Sequence, residues 1–115
     1  MRTIIAGSRD IVNYSILLKA IKEIDYEIST VICGKAKGVD TLGELYAKRN
    51  NIKIEYYQAN WSIYGKSAGM IRNRHMAEAA ESLLLIWDGV SKGSKSMLKL
   101  AREYNLKIHI HYIGE

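Results

Sequence analysis

A doubly wound α/β fold is what this chain of 115 residues predicts, with five parallel strands in the order 3-2-1-4-5 and helices on both faces. Two observations carry that expectation. Short apolar runs alternate along the chain with stretches whose apolar residues recur every three or four positions. Three of those runs are followed by glycine-bearing turns, and two of the turns lead straight into a helical pattern. Strands alternating with helices pair in parallel through right-handed crossovers.

The first strand is expected over residues 2–6, and the polar Gly7-Ser8-Arg9-Asp10 ends it. Asn13 is a natural N-cap for the stripe Tyr14, Leu17, Leu18, Ile21, Ile24. The second strand, 30–33, runs into Gly34-Lys35-Ala36-Lys37-Gly38-Val39-Asp40. Asp40 stands where a cap or first-turn acid belongs for the helix bearing Val39, Leu42, Leu45 and Tyr46. The third strand is expected over 53–58, and residues 68–81 are rich in helix formers. The fourth strand, 82–87, precedes Asp88-Gly89-Val90-Ser91-Lys92-Gly93-Ser94. Ser94 is the expected N-cap of the helix bearing Met97, Leu98, Ala101 and Tyr104, and 107–112 is the fifth strand. In this order strands one and four meet at the switch point, so three turns surround one crevice at the carboxyl edge.

One domain over residues 1–115 is expected, with no apolar run long enough to span a membrane. The opening residues read as a strand and not as a signal peptide, so a cytoplasmic location is the expectation. The single cysteine, Cys33, fits a reducing compartment, and its place at a strand end favours a buried thiol over a nucleophile. The net charge is +5. Arg9, Lys35, Lys37, Lys66, Arg72, Arg74, Lys92 and Lys95 lie in the carboxyl-edge turns, their flanks and residues 60–74. Only Asp10, Asp40 and Asp88 oppose them there, so the whole excess gathers at one edge, which suits an anionic ligand or nucleic acid. Solvation of loop lysines is the alternative.

Each residue type in these turns has a use and a plainer explanation. Gly7, Gly34, Gly38, Gly89 and Gly93 let backbone N–H groups approach a phosphate, or serve tight turns only. Ser8, Ser91 and Ser94 can donate to phosphate oxygens. Arg9, Arg72 and Arg74 carry permanently charged forks, but 72 and 74 face apart on a helix, and Arg72 is the better candidate for the crevice. Lys92 suits a phosphate contact, and Lys35 and Lys37 fit contact or solvation equally. Asp88 and Asp40 are the acids placed for chemistry, although a helix-start role explains Asp40 fully. Trp61 and Tyr64 could stack on a base or pack as a lid. His109 and His111 share a strand face without a third ligand nearby, so no metal is expected, and no P-loop pattern or cofactor motif is present.

Ala6-Gly7-Ser8-Arg9-Asp10, the 34–42 turn, Asn60-Trp61, Tyr64-Gly65-Lys66, 68–74 with Arg72-Asn73-Arg74, and 87–94 together resemble the YspA-like family of the SLOG superfamily. The resemblance runs in order through nearly the whole chain. It implies a Rossmann-like fold that binds a nucleotide or nucleotide-derived molecule, with Ala36 and Asn73 joining the ligand set. Lonely-guy phosphoribohydrolases, which cleave nucleoside monophosphates, are related. Their arginine falls near Arg72, but the position of their catalytic glutamate falls at about Met97. The DNA-processing protein A family shares the first two turns. The functions to weigh are therefore binding of a nucleotide-derived signal, nucleotide hydrolysis through Asp88 or Asp40, and single-stranded nucleic-acid binding. Relatives that are commonly dimeric, and the apolar, tyrosine-rich stretch 39–47, predict a homo-oligomer.

Overall fold

The computed structural model describes residues 1–35 and 38–113; Ala36 and Lys37 of the second turn lie outside the described residues. β1 (Arg2–Gly7), β2 (Thr30–Cys33), β3 (Lys53–Tyr56), β4 (Ser82–Trp87) and β5 (Lys107–Tyr112) form one sheet. All pairings are parallel and the order is β3-β2-β1-β4-β5. The helices are α1 (Tyr14–Glu23), α2 (Val39–Arg49), the short α3 (Trp61–Tyr64), α4 (Ala68–Ala79) and α5 (Lys92–Glu103).

Alternation along the strands divides the core into two layers. Leu83, Leu85 and Trp87 of β4 pack with Met76 of α4 and Met97, Leu98 and Ala101 of α5. Leu84 and Ile86 turn the other way, toward Leu17 of α1 and Val39 and Leu42 of α2. This is the three-layer, Rossmann-like arrangement the alternating pattern predicts. All six residues of β4 are buried because helices cover both of its faces. No helix among the described residues is long and apolar enough to cross a membrane.

Several local details differ from the sequence reading. β3 stops at Tyr56, two residues before the expected end, although the Tyr57 N–H still donates to the Cys33 carbonyl at 2.8 Å. α4 stops at Ala79, because Arg2 draws the next residues into the sheet. The Glu81 N–H donates to the Arg2 carbonyl at 2.8 Å, and the Arg2 N–H to Glu81 Oε1 at 2.8 Å. α3 is unforeseen; the Asn60 side chain starts it by accepting from the Ile63 N–H at 3.2 Å. Asn13 caps α1 as expected, accepting from the Ser15 N–H at 3.0 Å.

Ser94 is not the N-cap of α5. The helix begins at Lys92, and Asp88 shapes its entry, with Oδ1 accepting from the N–H groups of Val90 at 2.9 Å and Ser91 at 2.8 Å. Ser94 is thereby moved into the first turn and buried.

Candidate functional site

A cleft of about 370 Å³ opens at the carboxyl edge between β1 and β4. The end of β1 and the turn after it contribute Gly7, Ser8, Arg9 and Asp10, and the start of α2 contributes Asp40. α4 contributes Arg72 and Asn73, the turn into α5 contributes Asp88 and Ser91, and the first turn of α5 contributes Gly93 and Ser94. Four stretches separated in sequence thus meet where the strand order reverses, as the topology requires. Ala6, Met76 and Met97 supply the apolar part of the lining. Met76 follows Arg72 by one helical turn, a spacing that could have marked it for the same face.

Two hydroxyls in this lining are unusual. Ser8 and Ser94 are each 4 % exposed, and neither Oγ has a hydrogen-bond partner among the described residues. A buried hydroxyl without a partner costs free energy, so such groups ordinarily mark a bound molecule or water. Ser94 also sits in the first turn of α5, where free N–H groups and the helix dipole favour an anion.

The cations are arranged around these hydroxyls. Arg72 is half-buried; its Nη1 donates to the Gly34 carbonyl and its Nε to Asn73 Oδ1 at 2.9 Å. Burial pulls its pKa below the ordinary value, the Asp40 charge opposes that, and Arg9 adds to it. Arg9 is exposed on the rim and has no ion-pair partner among the described residues. Two guanidinium groups near one another are a natural seat for a multiply charged anion.

The acids differ in kind. Asp40 is buried at the start of α2. Asp88 is exposed, and the Val90 and Ser91 N–H groups hold its carboxyl below the usual range. The Ser8 hydroxyl lowers it slightly further from beyond hydrogen-bonding geometry. Cys33, behind Asp40, is a buried thiol that desolvation pushes up to about 11, which leaves it unreactive.

Some predicted residues stand elsewhere. Gly34 lies behind the cleft under Arg72. Gly38, at φ +77°, presses against the Ser8 and Arg9 carbonyls, so close packing of two turns explains it. Lys35 turns outward, with Nζ 4.8 Å from the centre of the Tyr56 ring. Gly89 faces open space, and Lys92 lines a different hollow. Trp61 and Tyr64 are exposed on α3, outside the cleft lining and outside the core. Arg74 lies on the surface 3.7 Å from Glu103.

The family described as YspA, cpYpsA-related SLOG matches residues 1–64, more than half of the chain. The chain belongs to that family. The matched part of this SLOG domain holds the turns after β1 and β2, while Arg72, Asp88 and the α5 turn lie beyond it. The gene 61 protein of Mycobacterium phage D29 is 27% identical over 84 residues, which cover 68% of this chain and 67% of that protein. The crystal structure of DNA processing protein A from Streptococcus pneumoniae shares the fold, with a TM-score of 0.74 and 18% identity over 95% of this chain. The SLOG domain spans about half the length of that structure, 49%.

Proposed function

We propose that this SLOG domain binds a nucleotide or nucleotide-derived small molecule in the β1/β4 cleft, with a phosphate group held at the first turn of α5. The broad class, nucleotides or nucleic acids, follows from the family. The observation that carries the finer reading is the pair of buried, unpartnered hydroxyls of Ser8 and Ser94 beside Arg9 and Arg72. A phosphate there would accept from both hydroxyls and from α5 N–H groups while meeting two positive charges. Ala6, Met76 and Met97 offer apolar surface for the rest of the ligand.

Native mass spectrometry of freshly purified protein, with identification of any released molecule, is the first test. Calorimetry with nucleosides and their monophosphates is the second. Monophosphates are expected to bind at least tenfold more tightly than the nucleosides, and Ser8→Ala with Ser94→Ala to remove most of that difference. Equal affinity for nucleoside and monophosphate would overturn the assignment of the phosphate.

Hydrolysis has less support. The position expected for a catalytic glutamate carries Met97, a thioether that lines the cleft, and one Asp88 oxygen is engaged in the turn. Asp40 is the buried acid of the cleft. Chromatography of a monophosphate panel after incubation tests this; released base or ribose phosphate, lost in Asp40→Asn, would establish the hydrolase.

A further inference from the structure

A second hollow, of about 810 Å³, lies on the other flank of α5. The Trp87 indole and Leu98 are buried beneath it. Tyr112 is opposite Trp87 in the β4/β5 register, and the two rings stack with centroids 6.1 Å apart and planes 30° apart. Tyr112 is 63% exposed, so one ring face is backed by Trp87 while much of the side chain meets solvent.

The α5 wall of this hollow is cationic. Lys92, Lys95, Lys99 and Arg102 recur every three or four residues and form one row. All four are exposed, and none has an ion-pair partner among the described residues. The one acid in the lining, Glu103, is 3.7 Å from Arg74. The ten helical steps from Lys92 to Arg102 make the row roughly 15 Å long. A mononucleotide has no use for so long a row, and an acidic peptide has no particular use for a backed aromatic plane. A row of cations beside an exposed ring is the arrangement that follows a polynucleotide backbone and stacks its bases.

We propose that this groove binds single-stranded nucleic acid, with the backbone along the α5 cations and a base on Tyr112. The site is separate from the β1/β4 cleft and does not rest on the nucleotide assignment there. α5 is the wall between them: Ser91, Gly93 and Ser94 face the cleft, while Lys92 and Lys95 face the groove.

The test is fluorescence anisotropy of the whole protein with a labelled oligo-dT of about twelve nucleotides. Binding is expected to weaken with salt at a logarithmic slope of about −3, from four phosphates neutralised on a single strand. Lys95→Glu with Lys99→Glu should weaken binding at least tenfold and roughly halve the slope. Tyr112→Ala should cost about tenfold, and Tyr112→Phe should retain the affinity. Tyr112→Leu keeps an apolar side chain over Trp87, so a matching loss there separates stacking from edge-strand stability. Four results would overturn the proposal: no binding at 50 mM salt, full affinity in the charge-reversed protein, full affinity in Tyr112→Leu, or displacement by poly-glutamate as effective as by unlabelled oligo-dT. The last would mark the groove as a seat for acidic peptides.

Discussion

A methyl group at position 93 separates the needs of the fold from those of the cleft. Gly93 lies in the first turn of α5, lines the cleft, and has nothing within 4 Å of where a Cβ would stand. Gly93→Ala is expected to stabilise the helix by about 0.5–1 kcal/mol, read in urea unfolding, while weakening nucleotide binding in calorimetry. Unchanged affinity would move the ligand away from this turn. Gly7 is the opposite case, since a Cβ there would stand 2.0 Å from the Ile86 carbonyl oxygen and 2.8 Å from Val39 Cγ2. Gly7→Ala should cost the fold about 3 kcal/mol whatever the ligand does. Sequence showed both glycines but not this difference, because the clash comes from strand β4, nearly eighty positions away. Arg72 was legible, since helical spacing turned it and Arg74 apart and the family resemblance and its nearness to the helix start favoured Arg72. The orphaned state of the Ser8 and Ser94 hydroxyls was not, because a missing partner is a property of three-dimensional surroundings.

At the scale of elements, two carboxylates fix how segments join. Arg2 of β1 reaches across β2 to Glu55 of β3 in a two-pronged pair, at 2.6 and 2.7 Å, and its Nε donates to the Ala79 carbonyl at the end of α4. The Arg2 hydrogen bonds hold the Glu55 carboxyl down at about 2. A depressed carboxylate stabilises the fold fully above its unfolded pKa, near 4.5, and progressively less as pH falls toward 2. Urea unfolding should show Glu55→Gln about 1 kcal/mol less stable at neutral pH, the discounted value for a partly exposed pair. That gap should close between pH 4.5 and 2; a constant gap would contradict the assignment. Asp88 fixes the entry to α5, so Asp88→Ala should lower the melting temperature while Asp88→Asn, which keeps the accepting oxygen, should restore most of it. The inner strands were legible as short apolar runs, and the edge strands β3 and β5 as alternation of apolar with polar residues. α3 was not, because its four residues bury no side chain and leave no periodic trace.

The whole molecule directs its charges and its apolar surface differently from the sequence reading. Self-association was expected through residues 39–47, but Val39, Leu42 and Ala47 are buried within the domain. The large apolar side chains left exposed near α3 are Trp61, Ile63, Tyr64 and Met70. If the oligomer forms, it is expected to use that surface; Ile63→Glu should then reduce the light-scattering mass to the 13.0 kDa of one chain. The two edge strands carry Lys53 and Glu55 on one side and Lys107, His109 and His111 on the other, which discourages pairing of sheets edge to edge. Glu23 of α1 reinforces the second edge, 2.8 Å from His109 and 2.9 Å from His111.

The buried strand β4 has a consequence for the protein's life outside its native state. Ser82–Trp87 is six residues without a charge, harmless only while helices cover both sides. Set loose by heat, it has the make-up of a segment that stacks on copies of itself, with Glu81 and Asp88 at its ends as the charges that resist stacking. Asp88 therefore guards the chain twice, shaping a turn when folded and keeping neighbours apart when not. Asp88→Asn, which spares the turn, should still recover less native protein after a heating and cooling cycle.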